Sequence, residues 1–170
     1  MGRVFFNTRE NVHELTGNYT ALASDSGKVF VLNASSGSYT LTLPTDYSSS
    51  NTTGALTGWN CKVIVGTEND DAVTIFSGDN ADSGGDDFVG GLTLVAAQVS
   101  STSNGANGRF IVPAANDCEI VIDHNAANTG GGKGSYINII KLASNEWMID
   151  GIIYTDDADA DGTALFTDAD

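Results

Sequence analysis

Apolar residues along this chain recur in short runs, many with a period of two. Tyr39, Leu41 and Leu43 alternate with Thr40 and Thr42; Ile137 and Ile139 alternate with Tyr136 and Asn138; Trp147 and Ile149 alternate with Met148 and Asp150. Successive strand residues point to opposite sides, so this spacing predicts β-strands with one buried face. Other runs are continuous, over Val29–Leu32, Val63–Val65, Val73–Phe76, Leu92–Ala97, Phe110–Val112 and Ile120–Ile122. These predict strands buried on both faces, or strands near the middle of a sandwich.

Turn chemistry separates the runs. Polar, glycine-bearing stretches lie at Ser35–Ser38, Ser48–Gly54, Gly78–Gly85, Ser100–Gly108 and Asn125–Gly134, and Ala143-Ser144-Asn145 reads as a tight hairpin. Ser24–Gly27 reads as one helical turn closed by glycine. The best helical pattern is Thr8–Leu15, which reads equally well as an extended arm. The expected fold is all-β: a β-sandwich or jelly-roll-like domain of roughly ten short antiparallel strands. The expected organisation is an N-terminal arm or first strand over 1–19, a β-sandwich over 20–155 and an acidic C-terminal segment over 156–170. Leu165 and Phe166 could dock there as a final strand.

Charge narrows the partners. The 170 residues hold 22 acids against 7 Lys plus Arg, a formal net charge of −15. Binding nucleic acid requires a Lys/Arg surface that displaces counterions, and attraction to an anionic membrane requires the same. Neither partner is expected. The N-terminal MGRVFFNTRE has no long apolar run, so neither a signal peptide nor a membrane span is expected, and synthesis is assigned to a cytoplasm. Cys61 and Cys118 each sit in a strand-like apolar run. Two buried thiols are expected in a reducing compartment, with a disulfide between neighbouring strands left open.

Candidate chemistry is sparse. Asp157, Asp159 and Asp161, followed by Gly162 and by Asp168 at the twelfth position, match the oxygen spacing of a calcium loop. Against that match, the twelfth residue is Asp rather than bidentate Glu, and Ala164 stands where a larger apolar residue is usual. Asp79, Asp82, Asp86 and Asp87 form a second acidic stretch, read as a solvated loop. Gly130–Ser135 resembles a phosphate loop, but Gly134 separates Lys133 from Ser135 and a strand follows. His13 and His124 lack the spacing of metal ligands or of a nucleophile's base. Trp59 and Trp147 sit in core-like strands. No catalytic, cofactor-binding or metal-ligating residue is therefore assigned, no cofactor is implied, and enzymatic activity is not expected.

Thr20–Pro44, "TALASDSGKVFVLNASSGSYTLTLP", combines a turn carrying Asp25, Ser26 and Gly27 with a strand, a polar turn, and a strand ending at Leu43-Pro44. Gly58–Gly66, Val73-Thr74-Ile75 and the Trp strand Asn145–Gly151 follow in order. This succession, from about Thr20 to Tyr154, resembles a pattern found in structural proteins of tailed bacteriophages. The resemblance implies a virion protein, most like a capsid (head) decoration or cement protein. Such a protein would bind the outer surface of the shell, bridge major capsid protein subunits, and form a homo-oligomer, a trimer matching three-fold positions. Arg3, Val4, Phe5, Phe6 and Arg9 would then belong to a docking arm. Two other readings stay open: a tail-fibre or spike component recognising a host surface, and a calcium-dependent adhesive β-domain built on the Asp157–Asp168 loop.

Overall fold

The computed structural model describes residues 11–46, 51, 54–79, 86–96, 107–126, 129–156 and 161–168. Twelve strands run in chain order: β1 (Val12–Leu15), β2 (Tyr19–Thr20), β3 (Lys28–Leu32), β4 (Tyr39–Thr42), β5 (Asn60–Val65), β6 (Val73–Phe76), β7 (Asp87–Ala96), β8 (Asn107–Ile111), β9 (Glu119–Ile122), β10 (Tyr136–Ala143), β11 (Glu146–Thr155) and β12 (Phe166–Thr167). They form a seven-stranded sheet, β1-β3-β5-β10-β11-β7-β8, and a five-stranded sheet, β12-β9-β6-β4-β2. The all-β, sandwich-like architecture is as expected.

Strand direction is not. Five pairings are parallel, β1 with β3, β3 with β5, β2 with β4, β4 with β6, and β7 with β11. From β1 to β6 the chain alternates between the two sheets, so every second strand returns to the same sheet in the same direction. Five pairings are antiparallel, β5 with β10, β6 with β9, β7 with β8, β9 with β12, and β10 with β11, the last joined by a tight turn. There Asn145 takes φ 65, a left-handed conformation that asparagine tolerates better than most residues. Val12–Leu15 is a strand paired with β3, not a helix; Thr8 lies outside the described residues. The expected turn at Ser24–Gly27 is a single 3-10 turn over Ala23–Asp25, followed by Gly27 at φ 85.

The inward faces of both sheets make one core. Phe30, Leu32, Val63, Leu92, Ile137, Ile139, Trp147 and Ile149 of the larger sheet share it with Leu41, Val73, Ile75 and Ile120 of the smaller. Trp59 closes one end, its ring edge-on to Trp147 at 5.4 Å between centroids, and its Nε1–H donates to the Leu22 carbonyl at 3.1 Å. Asp25 locks the turn beneath: it accepts from Leu22 N–H at 2.8 Å and from the Tyr19 hydroxyl at 2.9 Å, and pairs with Lys28 at 2.7 Å. β12 pairs with β9 and carries buried Phe166 onto the core.

Candidate docking face and buried charge cluster

Of the two expectations for the continuous apolar runs, a place inside the sandwich holds for β5 and β6, but burial on both faces does not. Along Lys28–Leu32, Phe30 and Leu32 are buried while Val29 and Val31 are only partly covered. Ile64 lies in the same position between buried Val63 and Val65. These strands bury one face; the other points outward and is apolar all the same. The registers align the outward residues in rows across the larger sheet. One row is Val31, Ile64, Tyr136 and Ile152. A second, polar row is Val29, Lys62, Asn138 and Asp150. A third is Asn60, Ile140, Met148 and Val89. Ile140 and Met148 are both 37% exposed and Phe110, farther along the same sheet, is 66% exposed.

The polar row is pinned in place. The Asn138 side-chain amide donates to Asp150 at 2.7 Å, and the Lys62 ammonium sits 4.4 Å from the centroid of the Tyr136 ring. A depression of about 320 Å³ lies over Lys62, Asn138, Ile140 and Asp150. The outer face of the smaller sheet contrasts with this. Its rows are Thr40, Thr74 and Val121, and Thr20, Thr42, Phe76, Glu119 and Thr167. Threonine presents a hydroxyl to water while keeping the β-branched shape that strands favour, so this outer face is the more polar of the two.

On the inward face of β10 a buried lysine meets one buried carboxylate, Asp86, and one that is 31% exposed, Asp46. Period-two alternation places Lys141 after Ile137 and Ile139 on the core side, and its side chain is 1% exposed. Its Nζ donates to Asp86 Oδ1 at 2.7 Å and lies 2.6 Å from Asp46 Oδ1. The second contact is close, but no hydrogen-bond donor is aligned on that Asp46 oxygen among the described residues. Asp86 Oδ2 accepts from the Trp147 indole N–H at 3.0 Å, and the Trp147 ring faces Nζ at 4.6 Å. Burial raises the Asp86 carboxyl above the usual carboxylate range, a shift that Lys141 and Trp147 oppose and that Asp46 reinforces. A cavity of about 80 Å³, lined by Asp46, Thr57, Lys141 and Ser144 among others, opens beside the cluster.

Asp86 therefore does not belong to a solvated acidic loop. It is 2% exposed and pairs with buried Lys141. The signal for Lys141 was present in the sequence, since a lysine in the inward register of an alternating strand has to find a carboxylate inside. Asp82 lies outside the described residues, and Asp87 begins β7.

Of the calcium-like loop, Asp157 and Asp159 lie outside the described residues. Asp161 Oδ1 accepts from both the N–H and the hydroxyl of Thr163, at 3.0 and 2.7 Å, and Asp168 is exposed. Among the described residues no three His, Cys, Asp or Glu side chains are gathered as metal ligands would be. Cys61 and Cys118 are both buried, and burial pushes the Cys61 thiol far up. The Gly130–Ser135 stretch is a turn: Gly134 N–H donates to the Val65 carbonyl and the Ser135 hydroxyl to the Gly132 carbonyl, and β10 follows. His13 stacks on Tyr19 at 4.3 Å between centroids, and His124 Nε2 is 3.7 Å from Glu68.

No protein-family model, curated protein or solved structure matches the chain.

Proposed function

We propose that this chain is a structural virion protein that docks through the outer face of its seven-stranded sheet onto the outer surface of a phage shell, bridging major capsid protein subunits. The observation that carries the reading is the asymmetry between the two outer faces: threonine rows on one, and on the other apolar rows flanking Lys62, Asn138 and Asp150. Exposed apolar area concentrated on one face and interspersed with ordered polar groups is the anatomy of a protein–protein interface. The ordered turn-and-strand motifs from Thr20 to Tyr154 support the same class.

The mechanism is thermodynamic. A protein that binds only the assembled shell, across neighbouring subunits, adds its binding free energy to the stability of that state. Threonine-rich surface then faces solvent, and a trimer places three copies of the docking face around a three-fold position.

The test is copy number in purified virions, measured by quantitative mass spectrometry against the main shell subunit. A count comparable with that subunit is expected. A count that is a small fraction of it would point instead to a tail-fibre or vertex component, and absence from virions would overturn the structural reading altogether.

A further inference from the structure

The buried cluster around Lys141 carries an inference independent of the docking reading. We propose that Lys141 and Asp86 condense spontaneously to an intramolecular amide (isopeptide) bond between β10 and the residue preceding β7, with Asp46 as the proton shuttle. Three features support it. The amine and carboxylate are in contact at 2.7 Å and sealed from water, Lys141 at 1% and Asp86 at 2% exposure. A second carboxylate oxygen, on Asp46, lies 2.6 Å from the same nitrogen, with no hydrogen-bond donor aligned on it among the described residues. Finally, an indole N–H is fixed on the other oxygen of Asp86 at 3.0 Å.

Each feature has a chemical role. Proton transfer from the Lys141 ammonium to Asp86 Oδ1 gives a neutral amine and a neutral carboxylic acid, the pair favoured where charge is poorly solvated. Burial raises the Asp86 carboxyl, in keeping with that state. The amine lone pair then attacks Asp86 Cγ, and negative charge develops on Oδ2, where the Trp147 N–H already points. Asp46 takes a proton from the nitrogen and delivers it to the Oδ1 hydroxyl, which leaves as water. One C–N bond forms, one C–O bond breaks, one water is released, and Asp46 returns to its ionised state. The cavity of about 80 Å³ beside Asp46 receives the water. Holding the two groups in contact on a rigid sheet replaces an encounter in solution, which is what makes an otherwise slow condensation accessible.

The experiment is intact-mass spectrometry on the full-length folded chain, followed by proteolysis and sequencing of linked peptides. The expected mass is that of the sequence less one water, with Lys141 joined to Asp86. Lys141→Arg is expected to keep the full sequence mass. Asp46→Asn, which keeps the shape but cannot cycle a proton, is expected to keep it too while melting cooperatively. Full sequence mass in the unaltered folded chain would overturn the proposal, as would a link from Lys141 to Asp46. Loss of water in folded Asp46→Asn would overturn the shuttle role. Because the primary reading is made on the unaltered chain, a variant that fails to fold does not decide the outcome.

Discussion

If the outer face of the larger sheet docks on a phage shell as proposed, the double substitution Ile140→Asp/Met148→Asp should abolish that binding while leaving the protein folded. The two side chains are direct cross-strand neighbours on β10 and β11, each 37% exposed, at the edge of the depression over Asn138 and Asp150. In the free protein each change gives up part of a side-chain burial and some strand preference, roughly 1–2 kcal/mol per site. An ordinary domain has about 5–15 kcal/mol of stability and tolerates this. In the complex the carboxylates would be buried against an apolar partner surface. Central apolar anchors of interfaces carry at least about 2 kcal/mol each, so the pair should weaken binding by roughly three orders of magnitude. The control is Thr40→Asp/Thr74→Asp, a cross-strand pair on the opposite face, which should bind as the unaltered protein does. Co-sedimentation with shells lacking the protein measures binding, and thermal melts confirm folding. Retained binding by folded Ile140→Asp/Met148→Asp, with loss in the threonine pair, would refute the assignment of the docking face.

Three further outcomes follow from particular contacts. A Cβ at Gly151 would lie 2.2 Å from the Tyr136 carbonyl oxygen and 2.9 Å from Ile137 Cα; these are backbone atoms that cannot turn aside, so Gly151→Ala should cost about 3 kcal/mol or more in denaturant unfolding. Asp25→Ala removes the acceptor for Leu22 and Tyr19 and the partner of Lys28, and should cost about 2–3 kcal/mol. Burial alone would raise the Asp25 carboxyl, but those donors and Lys28 outweigh it and hold it below the usual range; its contribution is therefore complete above the unfolded carboxylate pKa of about 3.9 and is lost as pH falls through the lower folded value. Acid melts of Asp25→Ala should lack that part of the loss. The Lys141–Asp86 amide would close a loop whose ends are 55 residues apart; the chain-entropy argument for cross-links gives about 4 kcal/mol, so Asp46→Asn should melt roughly 10 °C lower, and an equal melting temperature would count against the cross-link.

Much of the architecture was legible because period two is a strong local signal. The alternating runs Tyr39–Leu43, Ile137–Ile139 and Trp147–Ile149 all place their odd-numbered residues in the core. The hairpin at Asn145 and the turn ending at Gly27 were legible for the same reason, since left-handed backbone demands particular residues. Strand direction was not legible. Whether a strand returns by a hairpin or crosses to the other sheet depends on which long-range partner it meets, and the turn residues between β3 and β4 do not encode that. The continuous runs misled because burial on two faces and burial on one with an apolar outer face look identical in sequence. The acidic stretch at Asp79–Asp87 misled because one of its members, Asp86, is claimed by a lysine 55 positions away.

The two outer faces and the inner cluster bear on one physical problem. A sandwich with an apolar outer face risks sticking to copies of itself, and a chain with a formal charge of −15 counters that through self-repulsion in solution. On the docking face the same control is local: Asp150 and Lys62 interrupt the apolar rows, so any partner must satisfy both charges to gain the apolar contact on either side. Those charges supply selectivity more than strength. In the proposed complex the protein would also have to resist unfolding while β5, β10 and β11 bear load. Lys141 ties β10, from its inward side, to Asp86 just before β7 and to Asp46 in the segment after β4. The ion pairs alone would be weak evidence for stability, because desolvation offsets much of their attraction. A covalent bond at the same position carries no such offset, and it would lie directly beneath Ile140 and Met148, where the proposed partner pulls.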